Sequence, residues 1–140
     1  MPTAINAFVA GDIIVYPYRW AAEMARGRSV DGAKDRPCCL VLATTNAHGQ
    51  TVVFLAPISS KPPRPDQSAL VIPDTERRRA GLERYPQAWV YVDEVNQDRP
   101  GDSWYLEPQD PLGSFGRPFF SKVAAAVSRN ARAGRIVARR

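Results

Sequence analysis

The sequence predicts a mainly β domain, a small closed antiparallel barrel followed by one amphipathic helix. Two observations support this prediction. The 140 residues include 13 prolines, about twice the ordinary usage of roughly 5%, and the apolar residues fall into short runs separated by turn residues. A chain of this length holds one domain, here 1–140. Its core is predicted at about residues 10–133, with a basic tail at 134–140.

Three apolar runs predict the first three strands. Residues 13–16 are β-branched and aromatic and end at a proline, which is typical of a strand. A polar, glycine-punctuated loop over residues 19–35 follows, with room for a helical turn. Residues 38–43 and 51–57 are continuously apolar, as expected of strands buried on both faces. The intervening residues 46–49 predict a hairpin turn.

The next segments predict shorter strands. Residues 59–65 carry three prolines in four positions, so they must form an exposed connection. Residues 69–72 predict a fourth strand, after which Asp74 is expected to cap a short helical turn. Residues 88–92 predict a fifth strand, and residues 103–106 a sixth.

The C-terminal segment predicts an amphipathic helix with a basic surface. Pro118 suits the first helical position and Gly134 the C-cap. Between them, one packed face follows i, i+4 spacing: Phe119, Val123, Val127 and Ala131. The chain has a net charge of +5, and after Asp110 it has seven basic residues and no acidic one. Five of these are expected to form a solvated face for a polyanion or an acidic partner: Arg129, Arg132, Arg135, Arg139 and Arg140.

The rare residue types exclude several kinds of chemistry. The single histidine, His48, cannot supply a two-histidine acid/base pair or a histidine-rich zinc site. Cys38 and Cys39 are adjacent within an apolar run, which is neither a disulfide framework nor a metal-ligand spacing. No segment approaches the roughly 20 apolar residues that span a bilayer. We therefore expect a soluble cytoplasmic protein without metal or cofactor.

Arg36 is the first candidate for chemistry. Pro37 keeps it extended at the entry to the most apolar strand, so its guanidinium leaves the sheet in a defined direction. A guanidinium placed in this way can bind a phosphate with paired donors. The alternative is a surface ion pair with Asp35 or Asp12.

Two further strand ends carry polar residues, and small β-barrels place their sites at such ends. Ser59 and Ser60 follow an apolar strand and offer two hydroxyls, either for chemistry or to cap a turn. Asp93 and Glu94 follow the fifth strand, where the alternative to a site is a solvated strand end.

Taken together in this order and spacing, these segments resemble the PemK/MazF family of bacterial toxin endoribonucleases. The resemblance covers about residues 11–95. It rests on Gly-Asp at 11–12, Arg-Pro at 36–37 ahead of the apolar run 40–42, Pro-Ile-Ser-Ser at 57–60, and Asp-Glu at 93–94.

The resemblance implies a barrel of the Src-homology-3 type, shared with CcdB-like toxins, that forms a homodimer. It also implies metal-independent cleavage of single-stranded RNA, inhibition of growth, and neutralisation by an antitoxin encoded beside the toxin. In such enzymes the ribose 2′-hydroxyl attacks the adjacent phosphorus and leaves a cyclic phosphate and a 5′-hydroxyl. Arg36 and Ser59 match the family's catalytic arginine and threonine.

The chain departs from the family pattern at three positions. Ser59 keeps the hydroxyl of the usual threonine but lacks the methyl group that restricts its rotamer. Tyr91 stands where some toxins have arginine; it could stack on a base or donate a proton, or serve as a core or interface aromatic. Asp35 can partly neutralise Arg36.

The loop after strand one alternates basic residues with an aromatic one. Arg19, Trp20, Arg26 and Arg28 suit single-stranded RNA, although Trp20 could instead pin the loop against the barrel. Two rival functions stay open at this point. One is a nucleic-acid-binding module without catalysis, and the other is a protein-interaction domain that keeps the fold without the activity.

Overall fold

The computed structural model describes residues 8–25, 34–130 and 135–139. Eight strands and three helices make up this part of the chain. The strands are β1 Asp12–Pro17, β2 Asp35–Thr45, β3 Thr51–Ser59, β4 Ala69–Val71, β5 Trp89–Tyr91, β6 Val95–Asp98, β7 Gly113–Ser114 and β8 Ile136–Ala138. The helices are α1 Ala21–Ala25, α2 Asp74–Arg79 and α3 Arg117–Asn130.

One sheet contains all of these strands. Its main path runs β4-β5-β3-β2-β1-β7, and every pair along it is antiparallel. β6 pairs with β3 on the same side as β5, and β8 pairs with β6 in parallel. The sheet curls into a half-barrel with a long helix against it. The prediction of a mainly β fold with a C-terminal helix is confirmed.

The three central strands are buried on both faces, as their continuous apolar character predicts. The register partners Ile13, Cys39 and Ala56 belong to one hydrophobic cluster. Their neighbours Ile14 and Cys38 belong to a second cluster, because successive side chains of a strand point to opposite faces. The register of β2 breaks between Leu40 and Leu42, and from Leu42 onward β2 is exposed, so the prediction of two buried faces fails for residues 42–43.

Helix α3 covers the first cluster. Phe119, Val123 and Ala126 are its buried residues, and Phe119 packs edge-on against Phe115 with ring centroids 4.9 Å apart. Val127 packs partly buried against the same cluster. The predicted helical face is therefore confirmed over these residues, whereas Ala131 and Gly134 lie outside the described residues.

Two local predictions are wrong. Residues 103–106 form no strand, because the Ser103 hydroxyl accepts the backbone N–H groups of Tyr105 and Leu106 at 3.0 and 2.9 Å and so replaces sheet pairing with a local turn. Asp74 does not cap α2; the N-cap residue is Pro73, and the Asp74 carboxylate pairs with Arg77 at 2.6 Å inside the helix.

The sheet extends into the segment that the sequence predicts as a basic tail. β8 adds a strand after α3, and Val137 in it is buried. Arg139 is only 6% exposed, so the expectation of a solvated face is wrong for this residue. Its guanidinium donates to the Pro17 carbonyl and the Asn96 side chain, which holds it inside the fold. Arg132 and Arg140 lie outside the described residues.

The connection between β5 and β6 places the polar pair that follows the fifth strand. Both strands pair with β3 along the same side, β5 at Ile58 and Ser59 and β6 from Val53 to Leu55. The chain therefore turns a corner between Tyr91 and Val95. Among the described helices, none is long and apolar enough to cross a membrane.

Candidate functional site

Most of the predicted site residues line one cavity of about 770 Å³. It lies where β2 begins, β3 ends and the chain turns from β5 to β6. Six of the nine predicted site residues line it: Trp20, Arg36, Ser59, Ser60, Tyr91 and Glu94. These residues are far apart in sequence, so the curled sheet is what brings them together.

Arg36 occupies the entry of β2. The β2–β3 register pairs Cys38 with Pro57, and counting two residues further along both strands brings Arg36 and Ser59 to the same end of the pair. The Arg36 guanidinium lies 5.3 Å from the centre of the Trp20 ring, within cation–π range. Its Nε is buried and bonds to no residue that the structure describes. Arg36 therefore keeps an unmet donor.

Ser59 ends β3 and begins a turn. Its Oγ accepts the backbone N–H of Lys61 at 3.1 Å, which is the hydroxyl-capped turn that the sequence left as an alternative. A hydroxyl that accepts one hydrogen bond still has its own proton to donate. Ser59 can therefore hold the turn and donate to a ligand in the cavity. Ser60, beside it, is exposed.

Tyr91 braces this turn from β5. Its hydroxyl donates to the Lys61 carbonyl at 2.7 Å, and its ring meets Trp20 edge-on with centroids 5.2 Å apart. Burial raises the pKa of Tyr91, with the positive charges of Arg64 and Arg36 acting against it. The phenol is therefore neutral at physiological pH, and its proton is engaged by the backbone.

Glu94 is a buried carboxyl at the β5–β6 corner, with 2% of its surface exposed. Its Oε1 accepts the Tyr18 hydroxyl at 3.0 Å and the Ala21 N–H at 2.9 Å. Its Oε2 lies 3.7 Å from Arg135. Burial raises the pKa of Glu94, and the hydrogen bonds from Ala21 and Tyr18 oppose this shift. The cavity thus contains a carboxyl that takes up a proton more readily than an exposed one.

The other three predicted site residues lie outside the cavity lining. Asp12 accepts the Val9 N–H and the Ser114 hydroxyl, both at 3.0 Å. Arg19 is 2% exposed, and its backbone bonds on both sides to the Asn96 side chain. Asp93 accepts the Ser68 N–H at 3.2 Å and lies 3.8 Å from Arg135. Arg26 and Arg28 lie outside the described residues.

The cavity lining is more basic than acidic. The basic residues are Lys34, Arg36, Lys61, Arg64, Arg84 and Arg135, against the acidic Glu23, Asp35, Asp66 and Glu94. Sequence reasoning did not assign Arg64, Tyr85 or Arg135 to the site. Arg135 reaches the cavity only because β8, which follows it, pairs with the distant strand β6. A local sequence pattern does not reveal such a pairing. A phosphate-bearing ligand fits this charge balance.

The described residues offer few groups suited to metal binding or to thiol chemistry. No cluster of three or more His, Cys, Asp or Glu side chains occurs there. Cys38 and Cys39 are buried free thiols, and burial raises the pKa of both. A buried thiol with a raised pKa is a poor nucleophile and metal ligand.

Comparisons of the chain with protein-family models, with curated proteins and with solved structures find no match.

Proposed function

We propose that the chain is a metal-independent endoribonuclease that cleaves single-stranded RNA, a growth-inhibiting toxin of the PemK/MazF type on a barrel of the Src-homology-3 kind. One observation carries the proposal. Arg36 and Ser59, the two residues that match the family's catalytic pair, line one cavity at the same end of the paired strands β2 and β3. The basic excess of that cavity supports an RNA substrate.

In the proposed reaction the ribose 2′-oxygen forms a bond to the adjacent phosphorus, and the bond from phosphorus to the 5′-oxygen breaks. Negative charge builds on the non-bridging oxygens, where the Arg36 guanidinium and the Ser59 hydroxyl stabilise it. The 2′-hydroxyl must lose a proton, and Glu94 is the buried carboxyl of the cavity able to accept it. The 5′-oxygen takes up a proton from solvent as it leaves.

Aromatic side chains in the cavity suit an unpaired strand. Trp20 and Tyr85 line it together with the Arg36 and Arg64 guanidinium groups, and stacking on an aromatic ring requires a base that is free of its neighbours. An in-line attack also needs a sugar that can rotate. Duplex RNA meets neither condition.

The first test is cleavage in the presence of a strong chelator. We expect the purified protein to cut single-stranded RNA, leaving cyclic phosphate and 5′-hydroxyl ends, and to leave intact duplex largely uncut. Activity that appears only with added divalent metal would refute the mechanism. A folded protein without activity on varied RNA would instead favour a nucleic-acid-binding or protein-interaction module.

Variants at the catalytic pair separate chemistry from folding. Arg36→Ala should lower the cleavage rate by about 10²–10³, the cost of one preorganised donor. Arg36→Lys should restore only part of the rate, because it loses the planar fork. Ser59→Ala should also be slower, whereas Ser59→Thr should match or exceed wild type. The exposed Arg117, replaced by alanine, is the matched control.

Melting temperature, measured on the same preparations, completes this test. If both residues are structural, the alanine variants will melt earlier while the folded fraction keeps its specific activity. Unchanged rates in both alanine variants would remove the catalytic assignment.

The proposal includes two protein partners. A second copy of the chain would form the homodimer, and an acidic segment of an antitoxin would compete with RNA for the basic cavity around Arg36 and Trp20. Sedimentation tests the first, and displacement of RNA by an acidic peptide tests the second.

A further inference from the structure

A second cavity, of about 570 Å³, opens next to Arg139. Its lining residues are Asp98, Arg99, Asp102, Ser103, Trp104 and Arg139. None of them lines the cavity of Arg36 and Ser59. We call this second cavity the Trp104 pocket.

The carboxylates of the Trp104 pocket already have partners. Asp98 is 2% exposed and accepts the Tyr16 hydroxyl at 2.6 Å, the Arg99 N–H at 2.7 Å and the Ser103 hydroxyl at 2.8 Å. Asp102 pairs with Arg99 at 3.1 Å. A cation would therefore have to displace bonds that are already made.

Arg139 leaves a donor unmet in the same place. Its guanidinium lies 4.0 Å from the ring centre of Tyr105 and 5.4 Å from that of Tyr16. Nη1 donates to Pro17 and Asn96. Nη2 is buried and bonds to no residue that the structure describes. A buried cationic donor without a partner is costly and is relieved by an anion.

Trp104 provides an open aromatic surface in the lining of the same pocket. Its side chain is 84% exposed, unusual for a residue that generally buries most of its area. A phosphate satisfies a guanidinium donor, and a base stacks on an indole ring. A nucleotide carries both groups on one small unit.

We propose that the Trp104 pocket binds a nucleotide, with its phosphate at Arg139 and its base stacked on Trp104. The unit can come from an RNA strand or from a free mononucleotide. On the proposed function an RNA strand is the source, because Arg135 at the first cavity and Arg139 at the second flank β8. Four residue steps of an extended strand span ~13 Å, a distance that a few nucleotides cover.

The experiment uses ligands that need no cleavage. The Trp104 indole N–H signal is followed by NMR during titration with AMP and with adenosine. AMP should shift it at lower concentration than adenosine, because only AMP has the phosphate for Arg139. This comparison leaves the buried arginine unchanged and so avoids a variant that could unfold.

A second measurement identifies the source. Uncleavable 2′-O-methyl oligonucleotides of three and ten units are bound to wild type, Trp104→Ala, Trp104→Phe and the control Leu112→Ala, whose side chain is also exposed. Trp104→Ala should weaken binding of the ten-mer by about 5- to 150-fold, the range for losing one stacked base. Trp104→Phe should recover most of it, and Leu112→Ala should bind the ten-mer as wild type does. The loss in Trp104→Ala should be smaller for the three-mer, which is shorter than the path between the two cavities.

The outcomes decide between the sources. Loss of ten-mer affinity in Trp104→Ala supports an RNA strand, and an AMP response without that loss supports a free mononucleotide. If AMP leaves the Trp104 indole signal unchanged and Trp104→Ala binds the ten-mer as tightly as wild type, the proposal is overturned. Ten-mer binding that depends on Trp104 in a protein that cleaves no RNA would leave this inference standing while the proposed function fails.

Discussion

Residues at the cavity combine burial with charge, and Glu94 shows the consequence most clearly. Its carboxyl is held by Tyr18 and Ala21 and faces Arg135. Burial raises the pKa of Glu94 above its ordinary value of 4.5, so the folded protein holds this proton more strongly than the unfolded chain does. Its contribution to stability is thus complete below the ordinary pKa and is lost as pH rises through the folded value.

The stability of the wild-type protein relative to Glu94→Gln should therefore depend on pH. As pH falls from about 8 to about 5, the melting temperature of wild type should rise relative to that of the variant, because the buried carboxyl is progressively neutralised. The exposed Glu107→Gln serves as control, with a difference that stays flat. A constant difference for Glu94→Gln would contradict the assigned burial cost.

At the same scale, strand-end chemistry made much of the candidate site predictable. Arg36 before a proline and Ser59 after an apolar run are local signals, and both residues line the cavity. Arg135 gave no such signal, because in sequence it resembles any arginine of a basic tail. Asp12 and Arg19 lie outside the cavity because they bond to Ser114 and Asn96. These partners are distant in the chain, so a local sequence pattern could not predict the contacts.

Elements with a strong hydrophobic period were predicted well. β1, the β2–β3 hairpin and α3 all appear where their apolar runs place them. β6 was missed because its residues Val95–Asp98 are mostly polar, yet Asn96 and Asp98 are buried with side-chain bonds. β8 is three residues long and gains its place by pairing with β6. Propensity over so short a window cannot predict such pairing.

The buried face of helix α3 should contribute to the unfolding free energy of the protein. Phe119→Ala should cost about 3–5 kcal/mol of unfolding free energy, because the ring packs against Phe115 in the first cluster. Lys122→Ala, at an exposed position of the same helix, should change it by less than about 0.5 kcal/mol. Urea titration measures both. Equal losses would show that the helix does not use this face to cover the sheet.

The whole molecule pairs a net charge of +5 with a basic cavity on one side of the sheet. Binding of an uncleavable RNA oligonucleotide should weaken as salt rises, because the free energy gained from each counterion that the phosphates release falls as the bulk salt concentration rises. Arg36→Ala should reduce the slope of log affinity against log salt by about 0.7, the value for one contact on a single strand. Arg117→Ala should leave it unchanged. An affinity that is independent of salt would refute the electrostatic part of the proposal.

The position of β8 in the chain also determines when, during synthesis, the residues beside it become available to the two cavities. A ribosome synthesises Arg36 and Ser59, respectively, 103 and 80 residues before Arg139, and at typical synthesis rates these intervals last roughly 4 to 20 s. During these intervals, the growing chain lacks Arg135 in the wall of the first cavity and Arg139 across Tyr16 and Tyr105. On the proposed function, the wall of the first cavity is therefore complete only after Arg135 has been synthesised.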